Sequence, residues 1–128
     1  MRVGLTTLVV HDYDAAIKFF VDAIGFELIS DDDQGAGKRW VVVGPPGERG
    51  GRLLLAQAVG AAQEAAVGNQ TGGRVGHFLF AADFDEQYQR MVAAGVEFLE
   101  VPRSEQYGKV CVWQDLHGNK WDLLEDRA

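Results

Sequence analysis

The chain has one cysteine, Cys111, and three prolines in 128 residues. A single thiol excludes an internal disulfide framework and suits a reducing compartment. No apolar run approaches the roughly 20 residues that span a bilayer, so a membrane partner is not expected. Positive charge is in deficit, with 12 Lys and Arg against 19 Asp and Glu and a net charge of −7. Neutralising phosphates needs a basic patch, so nucleic acid is not an expected partner either. The opening Met1-Arg-Val-Gly-Leu-Thr-Thr7 has no long apolar core and no small-residue cleavage site, and the expectation is a cytoplasmic protein. Also missing are a phosphate-cradling glycine loop before a helix and an adjacent Ser/His/Asp or Cys/His signature. What remains is ordinary globular composition, 47% hydrophobic and 24% charged, with length enough for one core.

The chain is internally repetitive. Asp12-Tyr-Asp-Ala-Ala-Ile-Lys-Phe-Phe20 leads to Gly25-Phe-Glu-Leu28, and Asp83-Phe-Asp-Glu-Gln-Tyr-Gln-Arg-Met91 leads to Gly95-Val-Glu-Phe-Leu99. In each copy a carboxylate stands where a helix N-cap is expected and a glycine where the left-handed C-cap falls. Before each helix lies an apolar strand, 5–10 and 75–81. Ala16, Phe19, Phe20, Ala23 and Ile24 form one apolar helix stripe, and Phe84, Tyr88, Met91 and Val92 the other. Further strands are predicted from Phe26, over 38–43, 52–58, 96–100, 109–114 and 119–125. Asp31-Asp-Asp-Gln-Gly-Ala-Gly37 reads as a solvated polar turn, and Gly44 to Gly51 as a loop rich in breakers. Residues 61–67 suit a short helix. The order is βαβββ twice, in modules 1–58 and 74–128 joined by a linker 59–73. A lone module leaves a sheet face uncovered, so pairing of modules is expected.

The opening Leu8-Val-Val-His-Asp-Tyr-Asp-Ala-Ala-Ile-Lys-Phe-Phe20, Ile24-Gly-Phe-Glu-Leu28 and the closing Asp115-Leu-His-Gly-Asn-Lys-Trp-Asp-Leu-Leu-Glu125 resemble the vicinal oxygen chelate superfamily. That superfamily includes glyoxalase I, bleomycin-resistance proteins and extradiol dioxygenases. The closing segment is similar to its Asp-Pro-x-Gly-Asn turn, with Leu116 in place of proline. The resemblance covers nearly the whole chain. It implies an α+β glyoxalase/bleomycin resistance fold, a single glyoxalase-like domain over 1–128, in which two βαβββ modules form a U-shaped mixed sheet around a cavity, commonly in a homodimer.

Members with metal chemistry hold a divalent ion through side chains from up to four strands. In this chain the matching positions are Leu5, then Arg52 or Leu53, then His77 and Asp122. Two of the four keep ligand chemistry. Catalytic zinc usually takes three protein ligands, and the two-His-one-carboxylate triad of non-haem iron loses a histidine at Leu5. The expectation is therefore no metal cofactor, with His77 and Asp122 as weak metal candidates and a divalent ion as the alternative. His77 and Asp122 read either as a structural pair or as a polar pair at a cavity base able to bind a ligand or move a proton.

Trp40, Gln57, Tyr107, Trp113 and Trp121 complete the ligand-binding candidates, since pockets for small organic molecules are mostly apolar and aromatic with a few polar groups. Arg52 is unusual on an apolar strand and suits a solvated edge, a pairing with Asp122 or Glu125, or a ligand carboxylate. His11 and His117 read as surface residues, and Cys111 as a small buried apolar one. The leading functional expectation is metal-free binding of a small organic molecule in the manner of bleomycin-resistance proteins. The alternatives are a glyoxalase-like lyase or isomerase with an altered ligand set, and a regulatory module acting through protein contacts. No residue is assigned a catalytic role.

Overall fold

The computed structural model describes residues 1–47 and 50–127; Glu48 and Arg49, in the breaker loop, and Ala128 lie outside the described residues. The chain divides into two compact units, Met1–Val67 and Gly68–Ala128. Both are α+β, each with its own mixed sheet.

The first unit runs β1 (Leu5–Val10), α1 (Tyr13–Lys18), β2 (Glu27–Asp33), β3 (Arg39–Gly44), β4 (Arg52–Gln57) and α2 (Ala61–Ala66), in sheet order β1-β4-β3-β2. β1 and β4 are parallel and the other pairs antiparallel. The Asp12 carboxylate accepts the Ala15 N–H at 2.8 Å and fixes the start of α1. The helix then widens into a π-helical stretch, Phe19–Ile24, and stops at Gly25 with φ 96°. Ala16, Phe20 and Ile24 are buried, as are Leu8, Val10, Val41, Val43 and Leu55 of the sheet on which α1 packs.

The acidic triplet is not a turn. Asp31 to Asp33 belong to β2, and the turn falls after them, where the Gln34 N–H donates to the Lys38 carbonyl. Across the β2–β3 pair the Arg39 guanidinium donates to both Asp31 oxygens, at 3.0 and 2.7 Å, and to Asp14 at 3.0 Å. These bonds hold the Asp31 carboxyl below its usual range. A strand of like charges is tolerable because a bidentate cation faces it.

The second unit runs β5 (Val75–Ala81), α3 (Phe84–Ala93), β6 (Glu97–Phe98), β7 (Arg103–Glu105), β8 (Gly108–Gln114) and β9 (Lys120–Glu125). The sheet order is β5-β9-β8-β6, with β7 also on β8. Asp83 caps α3 through the Glu86 N–H at 3.0 Å, and Gly95 ends it at φ 81°. The first module's cap is thus reproduced. Val92 leaves the expected buried stripe and is 49% exposed, because it lies about 100° round the helix from buried Met91.

The strand expected over 96–100 is shortened to β6, and β7 is a further strand that was not expected. Pro102 between them has no N–H, and the Val112 N–H donates to the Glu100 carboxylate at 2.8 Å instead of to a strand carbonyl. The β8–β9 turn is built on Asp115, only 5% exposed. Its carboxylate accepts from the His117 and Asn119 N–H groups, the Asn119 amide and the Trp121 indole, at 3.0 to 3.3 Å. His117 is half-buried here and not a free surface residue. Its carbonyl lies against Gly68, where an added Cβ would come within 2.0 Å.

The linker divides between the units: α2 stays with the first, with Glu64 paired to His11 at 2.9 Å, and Gly68 packs into the second. Among the described residues no helix is long and apolar enough to cross a membrane.

Asp115→Ala removes a buried charged acceptor and leaves its donors unpaired, so it costs about 3 kcal/mol or more. Urea denaturation checks this; a loss under about 0.5 kcal/mol, the size of an ordinary surface change, contradicts the role given to Asp115.

Candidate functional site

Strand alternation sorts the candidates. Residues paired in register share a face, and neighbours along a strand take opposite faces. In the second unit His77 lies opposite Trp121, and Phe78 opposite Asp122. His77 and Asp122 therefore leave opposite faces of the sheet, and their reading as one pair is corrected. The register shifts between Val75 and His77, where Gly76 is the extra residue of a bulge. A bulge at the strand start makes ligand counting along the sequence slip by one face.

His77 stacks on Trp121 with ring centroids 4.5 Å apart, and Trp121 stacks on Trp113 at 4.8 Å. These rings share the face of Leu79, Cys111 and Leu123, all buried. Trp113 and Trp121 are 0% and 3% exposed, so they are packed core and offer no surface to a ligand. Burial holds the His77 imidazole below its usual range, partly opposed by the charge of Asp115. Its Nδ1 is buried with no hydrogen-bond partner among the described residues. The Cys111 thiol donates to the Glu100 carbonyl at 3.2 Å, and burial pushes its pKa up to about 11. It is a packing residue, as its sequence context suggested.

Asp122 shares the other face with Phe78 and Val112. Burial raises its carboxyl, with the Arg103 cation opposing and the Glu100 carboxylate adding to the rise. Phe78 and Phe80 are exposed on this face. Tyr107 lies between β7 and β8 and is 55% exposed.

In the first unit, Leu5 stands beside Arg52, and Thr7 beside Leu54. Leu54 pairs in turn with Val42, and Trp40 lies one alternation further along β3. This face, opposite the one that buries Leu55 and Val41, carries a concavity of about 790 Å³ lined by Arg2, Leu5, Ile29, Trp40, Val42 and Arg52 among others. Trp40 is 39% exposed and also borders a second cavity of about 480 Å³, with Tyr13, Leu54 and Gln57. The Gln57 amide there donates to the His11 carbonyl at 3.2 Å. Trp40 and Gln57 both line this second cavity, although by alternation Gln57 belongs to the face of Leu55 and Trp40 to the opposite one. Arg2 was not singled out by sequence; an arginine near the N-terminus has no local signal, and only the fold brings it to Arg52.

The donor set implied for a divalent ion does not fit. Leu5 beside Arg52 presents a hydrocarbon and a cation, Leu53 turns to the buried face, and His77 and Asp122 diverge. Among the described residues no three His, Cys, Asp or Glu side chains gather as metal ligands.

A family model described as Glyoxalase/Bleomycin resistance protein/Dioxygenase superfamily matches residues 2–123. An uncharacterized protein of Shewanella frigidimarina (strain NCIMB 400) is 50% identical over 92% of this chain and 88% of its own. Among solved structures, UcmS2 is 27% identical with a TM-score of 0.84, covering 97% of each chain. TnmS3, an antibiotic binding protein from Streptomyces sp. CB03234, is 26% identical with a TM-score of 0.77, covering 98% of this chain and 95% of that one.

The lowered pKa of His77 gives a signed pH dependence. Its folded form favours the neutral ring, so its contribution to stability is complete above the unfolded value of about 6.5 and is lost as pH falls through the folded value. His77→Phe keeps a ring on Trp121 and cannot titrate. Between pH 7 and 5 the wild type should lose stability that the variant retains. Parallel pH profiles of the urea midpoint would contradict a buried neutral His77.

Proposed function

The chain belongs to the Glyoxalase/Bleomycin resistance protein/Dioxygenase superfamily, and within it we propose that it binds a small organic molecule without a metal ion, on the open face of the first unit. The observation that carries this reading is Trp40, a large aromatic left 39% exposed over a concavity of about 790 Å³. That volume lies within the range of ordinary ligand sites, roughly 300–1,000 Å³. The wall is apolar where Leu5, Ile29 and Val42 stand, and the indole offers a flat surface for stacking.

The chemistry of the neighbouring positions supports the same reading. A substrate held through two oxygens on a metal needs several His and carboxylate donors converging on one point, and Leu5 and Arg52 stand at two of those positions. Gln57 lines the adjoining cavity of about 480 Å³ with Trp40, where its amide oxygen is able to accept from a ligand. The similarity to an antibiotic binding protein over nearly the full chain is consistent with sequestration as the function.

The test is a panel of flat aromatic compounds, cationic, neutral and anionic, titrated by calorimetry into protein treated with chelator. At least one should bind, with an affinity unaltered by chelator or added zinc. Trp40→Ala should weaken it about tenfold or more, as expected for an aromatic anchor. No binding by any member of the panel, or binding only after a divalent metal is restored, contradicts the proposal.

A further inference from the structure

We propose that the open face of the first unit selects flat aromatic anions, with Arg52 and Arg2 taking the anionic group and Trp40 the ring. This rests on the ligand-binding reading above and adds the chemical class. The concavity inverts the charge of the whole chain. Acidic residues outnumber basic ones 19 to 12, yet among the described residues the lining holds two arginines and no carboxylate.

Four other cations provide the contrast. Arg39, Arg103, Lys109 and Arg127 each hold a carboxylate at 3.1 Å or less. Neither Arg2 nor Arg52 is paired with a carboxylate among the described residues. An arginine fork left open at the rim of a partly apolar cavity matches a carboxylate in geometry as well as charge. The carboxylates in register with this face are on the edge strand β2: Glu27 opposite Gly44, in the row of Arg52, and Asp32 opposite Trp40; neither is among the described lining residues.

The backbone makes room for Arg52. Gly44 lies across from it on β3, and an added Cβ there would stand 3.0 Å from the Arg52 Cγ and 3.5 Å from the Ile29 Cδ1. With no side chain at position 44, the arginine stem lies down beside Ile29 and Leu5, which places an apolar floor next to the cation. Trp40 and Val42 continue that floor along β3. An aromatic acid satisfies both halves at once, ring on the indole and carboxylate on the guanidinium. An aromatic ammonium satisfies only the first and meets like charge at the second.

The experiment uses three matched probes, naphthoate, naphthamide and naphthylmethylammonium, titrated by calorimetry into the full chain and into Arg52→Gln, Arg52→Lys and Trp40→Ala. Naphthoate should bind about tenfold more tightly than the amide and more tightly still than the ammonium, with an affinity that falls as salt is raised. Arg52→Gln should remove most of the acid-over-amide preference, and Arg52→Lys should keep part of it, which separates charge from folding. Trp40→Ala should weaken acid and amide alike. If the three probes bind equally, or the ammonium binds best, anion selection is overturned while small-molecule binding stands. If an acid preference survives intact in Arg52→Gln, the role given to Arg52 is overturned. If none of the probes binds to the wild type, the inference is overturned, and the wider panel decides separately whether the binding proposal stands.

Discussion

Which side chains can meet a ligand is decided by the register in which β1 lies beside β4 and β5 beside β9. A strand shows alternate residues to alternate faces, so moving a pairing by one residue exchanges core and surface along its length. With Leu8 beside Leu55 and Leu79 beside Leu123, one face of each sheet is core, and the other is open in part, with Val42, Val110 and Leu124 buried on it. The open face of the first unit then carries Trp40, Val42, Leu5 and Arg52. That of the second carries Phe78, Phe80 and Asp122.

The register is itself held by few groups. Asp12 and Asp83 start the two helices through the same cap, and Gly25 and Gly95 end them in the same left-handed conformation. The chain is thereby returned to its sheet at matching points in both units. In the second unit Asp115 adds a tighter constraint. It gathers two backbone N–H groups, an amide and an indole onto one carboxylate, so the turn between β8 and β9 sets where Trp121 lies. Trp121 in turn carries the His77 ring. A half-buried histidine at a position suggestive of metal ligation is thus held against the core by the turn that closes the module.

Much of this was legible from the sequence. The duplication, both caps, both terminating glycines and the strands 5–10 and 75–81 depend on local chemistry, and local chemistry is written in neighbouring residues. The family resemblance follows from the same segments. Facing was not legible. His77 and Asp122 sit at plausible counts from Asp83 and Asp115, but the bulge at Gly76 puts them on opposite faces, and glycine gives no sign of which way a strand will turn. Asp31 to Asp33 looked like a turn because three carboxylates repel one another; Arg39, six to eight residues on, neutralises that repulsion only once the strands are paired. Trp113 and Trp121 read as pocket residues because an aromatic on a strand carries no mark of its face, whereas Trp40, with the same sequence signature, is open. Arg2 had no signal at all.

The central claim is that Trp40 is the aromatic that meets the ligand, while Trp113 and Trp121 form a packed core. The chain has three tryptophans, so fluorine NMR of protein labelled with fluorotryptophan, assigned by single substitutions, reads each one separately. Titration with naphthoate should shift the Trp40 resonance saturably and leave the Trp113 and Trp121 resonances in place. Saturable shifts at Trp113 or Trp121 with Trp40 unmoved would contradict the account.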